Sequence, residues 1–298
     1  MKKPESIFTA VAALVFAILV WSITPSLVRS FALATGPADS IVIRMFTVAI
    51  IALPILFFTG WRIDKKDWPV FLLLGCVGSF LYFVGSIFGF ANVSAGVGGM
   101  LYAIQPLLIA ALAASIGIER LSLSVIAGMV ISFAGTIYLF SEGLGGTSSD
   151  LIFGAVMLFF ADVAWAIYVV FSKPMIKKYG AAKTTLWSLI LCAPPSLVFF
   201  SSSTITTLQN LNGAAWASLI FLSLIGTLLS VNFWNYAAGR LPPTTVGASL
   251  YVIPPCVAIF GWLFLHESTS ATTWIAGAII LFGVAVAEFG KSLVKEPA

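Results

Sequence analysis

The sequence predicts an all-α integral membrane protein whose ten transmembrane helices form two inverted five-helix repeats. Three observations carry this: a composition too apolar for water, a succession of apolar runs each long enough to cross a bilayer, and a self-similarity between the halves of the chain. Of the 298 residues, 60% are hydrophobic and 9% charged, against about 25% charged in soluble domains. At about 20 residues per span the length accommodates roughly ten helices and leaves no stretch large enough for a soluble domain.

Apolar runs bounded by Pro, Gly and charges place helices near 7–28, 38–60, 69–91, 95–117, 122–141, 151–172, 184–201, 214–238, 243–265 and 272–290. Lys2, Lys3 and the small-x-small sequence Ala32-Leu33-Ala34 raise a signal peptide as the alternative for the first run. Its length and the intervening Arg29 favour a retained helix. Entrances are marked by capping residue types: Asp67 before Trp68-Pro69, Ser122, Ser149-Asp150 and Asn212-Gly213. A β-barrel needs short alternating strands, which these all-round apolar runs exclude.

Orientation follows from Lys and Arg in the short loops. Of fifteen basic residues, all but Arg29 and Arg44 fall in segments that alternation puts on one face, including Lys2, Arg62, Lys66, Arg120, Lys178, Lys183, Arg240 and Lys291. Both termini are therefore expected in the cytoplasm of a multi-pass bacterial inner-membrane protein. The same distribution accounts for the net charge of +4, so no nucleic-acid partner is implied.

At an offset of 149, Val97 pairs with Val246, Gly98 with Gly247, Leu101 with Leu250, Tyr102 with Tyr251, Ile104 with Ile253 and Pro106 with Pro255. The match continues through Ile126/Ile275, Ala127/Ala276, Gly128/Gly277, Ile131/Ile280 and Phe133/Phe282, eleven identities in 37 positions. At an offset of 144 the first and sixth helices share Phe16/Phe160, Ala17/Ala161, Trp21/Trp165 and Ile23/Ile167. Two units follow, 1–146 with helices one to five and 147–298 with helices six to ten. An odd number of crossings makes the second copy enter from the opposite face, an arrangement that recurs around midplane sites in transporters.

A proline-containing helix, an exit at Gly117-Ile118-Glu119 or Leu265-His266-Glu267, and an Ile-Ala-Gly start to the next helix occur in both halves. Over nearly the whole chain this pattern resembles the EamA-type branch of the drug/metabolite transporter superfamily. Within it, overall similarity is greatest to the YddG-type exporters of aromatic and other amino acids. The resemblance implies a ten-helix basket working by alternating access, with a central cavity lined mainly by helices one, three, four, six, eight and nine.

Residue by residue, the midplane offers few polar groups. Asp162 lies near the middle of helix six, where an ionisable group costs about 2.5–3.5 kcal/mol on insertion scales; it either meets a substrate ammonium or a proton, or is a hydrogen-bonded structural acid. Its counterpart is the apolar Ile18. Arg44, five residues after Asp39, is expected to snorkel to the interface, the alternative being a gate or a substrate-carboxylate contact. Trp61, Trp68, Trp216, Trp234, Trp262 and Trp274 lie near span ends, as an aromatic belt requires. Trp21 and Trp165 are deeper, either as facing walls of a cavity or as ordinary packing. In helix four Tyr102 and Gln105 share a face with Gly98 and Ile109, and Tyr251 follows Gly247 in helix nine. Pro106, Pro254 and Pro255 either free carbonyls for a substrate ammonium or merely kink their helices. Tyr82 is the site candidate on the small-residue stripe Gly78, Gly85 and Gly89 of helix three, a stripe that suits close helix contact. Asn232 is the candidate on helix eight.

The functions this composition excludes are as informative. Cys76, Cys192 and Cys256 sit in apolar runs and His266 is the single histidine, so a metal centre is not expected. No G-x-x-x-x-G-K-[ST] sequence occurs, and nucleotide hydrolysis is not expected. The expected role is a secondary or facilitative exporter of small amphipathic metabolites, aromatic or neutral amino acids first, acting as a monomer in lipid without cofactor or catalysis. Drug cations or nucleosides are the alternative cargo, and a non-transporting scaffold or sensor the alternative class.

Overall fold

The structure is a computed structural model that describes residues 4–118, 122–144, 149–241, 246, 249–266 and 270–293. Among these residues there is no strand. The chain runs through α1 (Pro4–Thr35), α2 (Pro37–Thr59), α3 (Lys65–Asn92), α4 (Ala95–Ser115), α5 (Leu123–Leu144), α6 (Ser149–Tyr179), α7 (Ala181–Phe199), α8 (Ser202–Gln209), α9 (Gly213–Ala238), α10 (Ile253–Leu265) and α11 (Ala271–Leu293). Seven of these, α1 to α4, α6, α7 and α9, are long and apolar enough to cross a membrane, and α5 and α11 contain shorter apolar stretches, Leu123–Gly135 and Trp274–Gly283. The protein is therefore a multi-pass membrane protein. Glu119, Arg120, Gly247 and Glu267 lie outside the described residues, as do the side chains of Tyr251, Pro254 and Pro255.

Tight turns join successive helices. Gly36 at φ 81° sits between α1 and α2, and Gly180 at φ 84° between α6 and α7; a side chain is strained in this left-handed region, which glycine enters freely. These two turns stand at the offset that pairs Trp21 with Trp165. α1 continues past Arg29 because its guanidinium finds acceptors, donating to the carbonyls of Phe90 (2.8 Å) and Val93 (2.7 Å) at the C-terminus of α3. Asn212 and Ser122 cap their helices through Ala215 N and Val125 N. Asp67 makes no capping bond. Instead it accepts from Lys178 Nζ and from the Tyr179 hydroxyl, while Lys178 also pairs with Asp64. Together with Lys183 Nζ on the Arg62 carbonyl at 2.9 Å, this cluster ties the start of α3 to the α6–α7 turn.

Helices α3 and α6 pack closely because glycines of α3 leave room for the backbone and side chains of α6. A Cβ on Gly85 would stand 2.5 Å from the Met157 carbonyl oxygen, and one on Gly89 would stand 2.5 Å from the Leu158 side chain. Small residues let spans approach in this way and gain dispersion contacts that lipid cannot match. The other close neighbours are α1 with α9 and α10, α2 with α7, α4 with α6 and α10, and α5 with α11. The seventh expected run, 184–201, becomes α7, which ends at Phe199; the Ser/Thr-rich α8 that follows lies outside every expected run and packs against α2. There the buried Asp39 carboxylate accepts from Thr204 (2.6 Å), Thr207 (2.8 Å) and Ser203 (3.2 Å).

Two spans depart from α geometry near their middle. A π-helical stretch occupies Leu73–Ser79 in α3, and another occupies Phe221–Leu229 in α9, beginning 148 residues later. Short 3₁₀ turns, Tyr102–Ile104 within α4 and Leu250–Val252 ahead of α10, also begin 148 residues apart.

Candidate functional site

These irregular segments surround a cavity between α1, α2, α3, α4, α6, α7, α9 and α10. It offers about 60 Å³ to the centre of a water-sized sphere, room for several water molecules. Seven of the nineteen residues that line it are aromatic. Trp21 meets Trp165 edge to face at 5.5 Å and 90°, Tyr82 lies 5.2 Å from Trp165, and Tyr168 stacks on Trp165 at 5.1 Å and 13°. Tyr82 and Tyr102 stack at 6.5 Å, with Phe90 edge-on to Tyr102 at 5.4 Å. The quadrupoles of such rings favour these offset and edge arrangements, and their faces attract cations. Trp21 is fixed further by its indole Nε1, which donates to the Gly226 carbonyl at 3.0 Å inside the π-helical stretch of α9.

Arg44 opens onto this cavity from α2 and is 2% exposed. The expectation that it snorkels to the interface is therefore wrong: its position on α2 faces the bundle, where a long side chain reaches the cavity instead of the lipid surface. Among the described residues its Nε and Nη1 have no hydrogen-bond partner, and the Phe83 ring lies 5.5 Å from Cζ. An ionisable group at mid-span costs about 2.5–3.5 kcal/mol, and a cation–π contact returns about 0.5–2 kcal/mol. The guanidinium is thus held at a net cost. The Tyr102 hydroxyl, likewise buried on the cavity wall, makes no aligned hydrogen bond.

Asp162 is 1% exposed and stands one layer behind the wall. Its Oδ1 accepts a 2.7 Å hydrogen bond from Gln105 Nε2, and Gln105 itself lines the cavity. A polar relay therefore connects the buried carboxyl to the cavity.

Of the residues singled out in the sequence, Trp21, Tyr82, Tyr102, Gln105, Trp165 and Arg44 come together on the cavity wall, and Asp162 touches it through Gln105. Asn232 does not reach it; its neighbour Val231 does, since one residue turns an α-helix by about 100°. Tyr251 keeps its place in the Leu250–Val252 turn, but its side chain lies outside the described residues. Trp234 is not an interfacial anchor: it is 3% exposed and packs against Trp21 at 5.3 Å. By contrast Trp61, Trp216, Trp262 and Trp274 are exposed on the outer surface, as a belt requires. Sequence reasoning missed Tyr168, Ser86, Ser79 and Thr227 on the cavity wall. Tyr168 is three residues after Trp165 and Ser86 four after Tyr82, so helical spacing from residues already chosen would have found both. Ser79, three residues before Tyr82, falls to the same spacing, whereas Thr227, in the π-helical stretch of α9, has no chosen residue at that spacing on the wall. Among the described residues, no cluster of His, Cys, Asp or Glu has the arrangement to hold a metal ion.

Comparison with known proteins gives a consistent result. The model of the EamA-like transporter family matches residues 8–141 and again 152–289. A probable terminal-alkyne amino-acid exporter of Streptantibioticus cattleyicolor is 27% identical over 284 residues, covering 92% of each chain. The uncharacterized inner membrane transporter YedA of Escherichia coli is 24% identical over 92% of this chain and 89% of its own. An uncharacterized transporter of Archaeoglobus fulgidus is 25% identical over 80% and 84%. One crystal structure superposes with a TM-score of 0.66 at 20% identity, covering 96% of this chain and 99% of that one, a likeness of fold.

Proposed function

Because the chain belongs to the EamA-like transporter family, we propose that it is an exporter of small amphipathic metabolites in the bacterial inner membrane, and that aromatic and neutral amino acids are its main cargo. The observation that carries this reading is a cavity lined by aromatic rings onto which a guanidinium with two unpartnered nitrogens opens, with a glutamine-bound carboxyl directly behind. Such a site offers a hydrophobic body a place among Trp21, Tyr82 and Trp165. Polar groups are set at its margin, the usual division in small-molecule sites. The amino-acid exporter among the relatives supports the same substrate class.

In this reading two five-span units, 1–146 and 147–298, face each other in opposite senses and alternate access to the cavity. The double match of the family model supports it, as do the paired glycine turns, π-helical stretches and 3₁₀ turns. The helix contacts agree, because exchanging each span of one unit for its counterpart turns the α1–α9 contact into α6–α3, and α1–α10 into α6–α4. Both termini then face the cytoplasm, and transport is either gradient-coupled or facilitative. A buried acid alone would suit a drug cation; the uncompensated Arg44 on the same cavity favours zwitterions over cations.

The test is counterflow in proteoliposomes with labelled phenylalanine, leucine, a drug cation and a nucleoside, with and without a pH gradient. Saturable movement of the amino acids supports the proposal. Movement of the cation or nucleoside with no amino-acid flux overturns the substrate class. Accessibility labelling that put the N-terminus and Lys177 on opposite faces would overturn the inverted arrangement.

A further inference from the structure

We infer, building on the exporter reading, that Arg44 is a carboxylate receptor, so that the transported class must carry a free carboxylate beside its apolar body. Amines of the same shape are then excluded.

Three observations converge on this side chain. First, Arg44 is buried and lines the cavity, yet two of its guanidinium nitrogens have no partner. A guanidinium used only for structure is ordinarily saturated by carbonyls, as Arg29 is by Phe90 and Val93. Second, among the described residues no anion neutralises it. The ionisable groups near enough to act on it are Tyr82, Tyr102 and Cys192, phenols and a thiol that are uncharged at neutral pH. The buried acid of the cavity region, Asp162, takes its hydrogen bond from Gln105 instead. Third, the missing partners are matched in kind by a carboxylate, which accepts two parallel N–H bonds from the guanidinium fork. The Tyr102 hydroxyl on the same wall, set beside the Tyr82 and Ser86 side chains, is a further donor within the cavity.

The charges are also divided between the two units. Arg44 comes from the first and Asp162 from the second, and the position matching Asp162 is the apolar Ile18. A carboxylate held by Arg44 therefore fixes one end of a zwitterion, leaving the aromatic faces and the Gln105–Asp162 relay for the ammonium.

The experiment uses three ligands of nearly one shape: phenylalanine, 3-phenylpropionate, which lacks the ammonium, and phenethylamine, which lacks the carboxylate. Calorimetric binding to the full-length purified protein and counterflow in proteoliposomes are measured for the wild type, Arg44→Lys and Arg44→Gln. Phenylalanine and 3-phenylpropionate should bind the wild type and phenethylamine should not. Arg44→Lys should weaken both acids by about tenfold or more, since an ammonium cannot reproduce the bidentate fork. Arg44→Gln should abolish their binding while its thermal midpoint without ligand stays at or above the wild-type value, because an uncompensated buried charge has been removed. If Arg44→Gln does not fold, the lysine variant carries the comparison alone. Phenethylamine binding as well as phenylalanine, none of the three binding, or a substituted protein keeping phenylalanine affinity within about twofold would each overturn the assignment. Amino-acid transport by the wild type that survives Arg44→Gln refutes the receptor and leaves the exporter reading intact. Transport of 3-phenylpropionate without any amino acid does the reverse.

Discussion

Removing the Gln105 amide should destabilise the protein through Asp162 more than through lost packing. The Asp162 carboxyl is 1% exposed and its single described hydrogen bond comes from Gln105 Nε2 at 2.7 Å. Gln105→Met keeps the length and most of the volume of the side chain, a change that usually costs under about 1.5 kcal/mol when polarity is not at issue. The stranded carboxyl adds a desolvation cost of about 1–3 kcal/mol. Asp162→Asn retains an acceptor and should remain near wild type, whereas Asp162→Ala removes it. The double variant Gln105→Met/Asp162→Ala strands nothing, so its loss should fall short of the sum of the single losses by about 1–3 kcal/mol, the signature of directly coupled residues. Thermal or denaturant unfolding in one detergent measures the cycle, with ligand absent. Additive single losses, or a Gln105→Met protein as stable as the wild type, would refute the claim that this bond stabilises the bundle.

Other substitutions test separate contacts. Gly85→Val places a branched side chain where even a Cβ meets the Met157 carbonyl at 2.5 Å; overpacking of this kind costs about 1–3 kcal/mol, and a fall in thermal midpoint with loss of monodispersity is expected. Asp39→Ala removes the acceptor shared by Ser203, Thr204 and Thr207. Hydrogen bonds to a charged group contribute about 1.5–3 kcal/mol, so the segment carrying α8 should become the first site cut in limited proteolysis. The Lys178 ammonium holds Asp64 below its ordinary value of 3.8, so Asp64 binds fewer protons folded than unfolded. The tie between α3 and the α6–α7 turn should therefore be complete above that ordinary value and weaken as pH falls through the lowered one. Lys178→Met should remove this part of the acid sensitivity in a thermal-midpoint titration, and an unchanged acid limb would refute the assignment.

Long apolar runs are legible because few conformations other than a helix satisfy backbone groups in lipid, and the run at 38–60 became α2 at Pro37–Thr59 nearly unchanged. The end of α1 was less legible, since Arg29 reads as a stop until its carbonyl acceptors on α3 are known. Depth along a span was readable for Trp21 and Trp165, which hydropathy and the repeat place together. Azimuth was not. Distance to span ends places Arg44 and Trp234 at the interface, yet both turn inward. Asn232 failed for the same reason, lying one position from the residue that faces the cavity. The π-helical stretches left no trace in composition, because Leu, Gly, Val and Ser serve either geometry.

Those two widened stretches have a consequence for how the chain tolerates changes in length. A π turn accommodates one residue more than the α turn it replaces while leaving the following helix in phase. Loss of a single residue within Leu73–Ser79 would let α3 close into a regular helix with Tyr82 still directed at the aromatic wall. The same loss one turn later, at Val84, would swing Ser86 and Phe90 round by about 100°. Each of these spans thus carries a spare residue at one place, and insertions or deletions elsewhere along it would be read out as a rotated cavity wall.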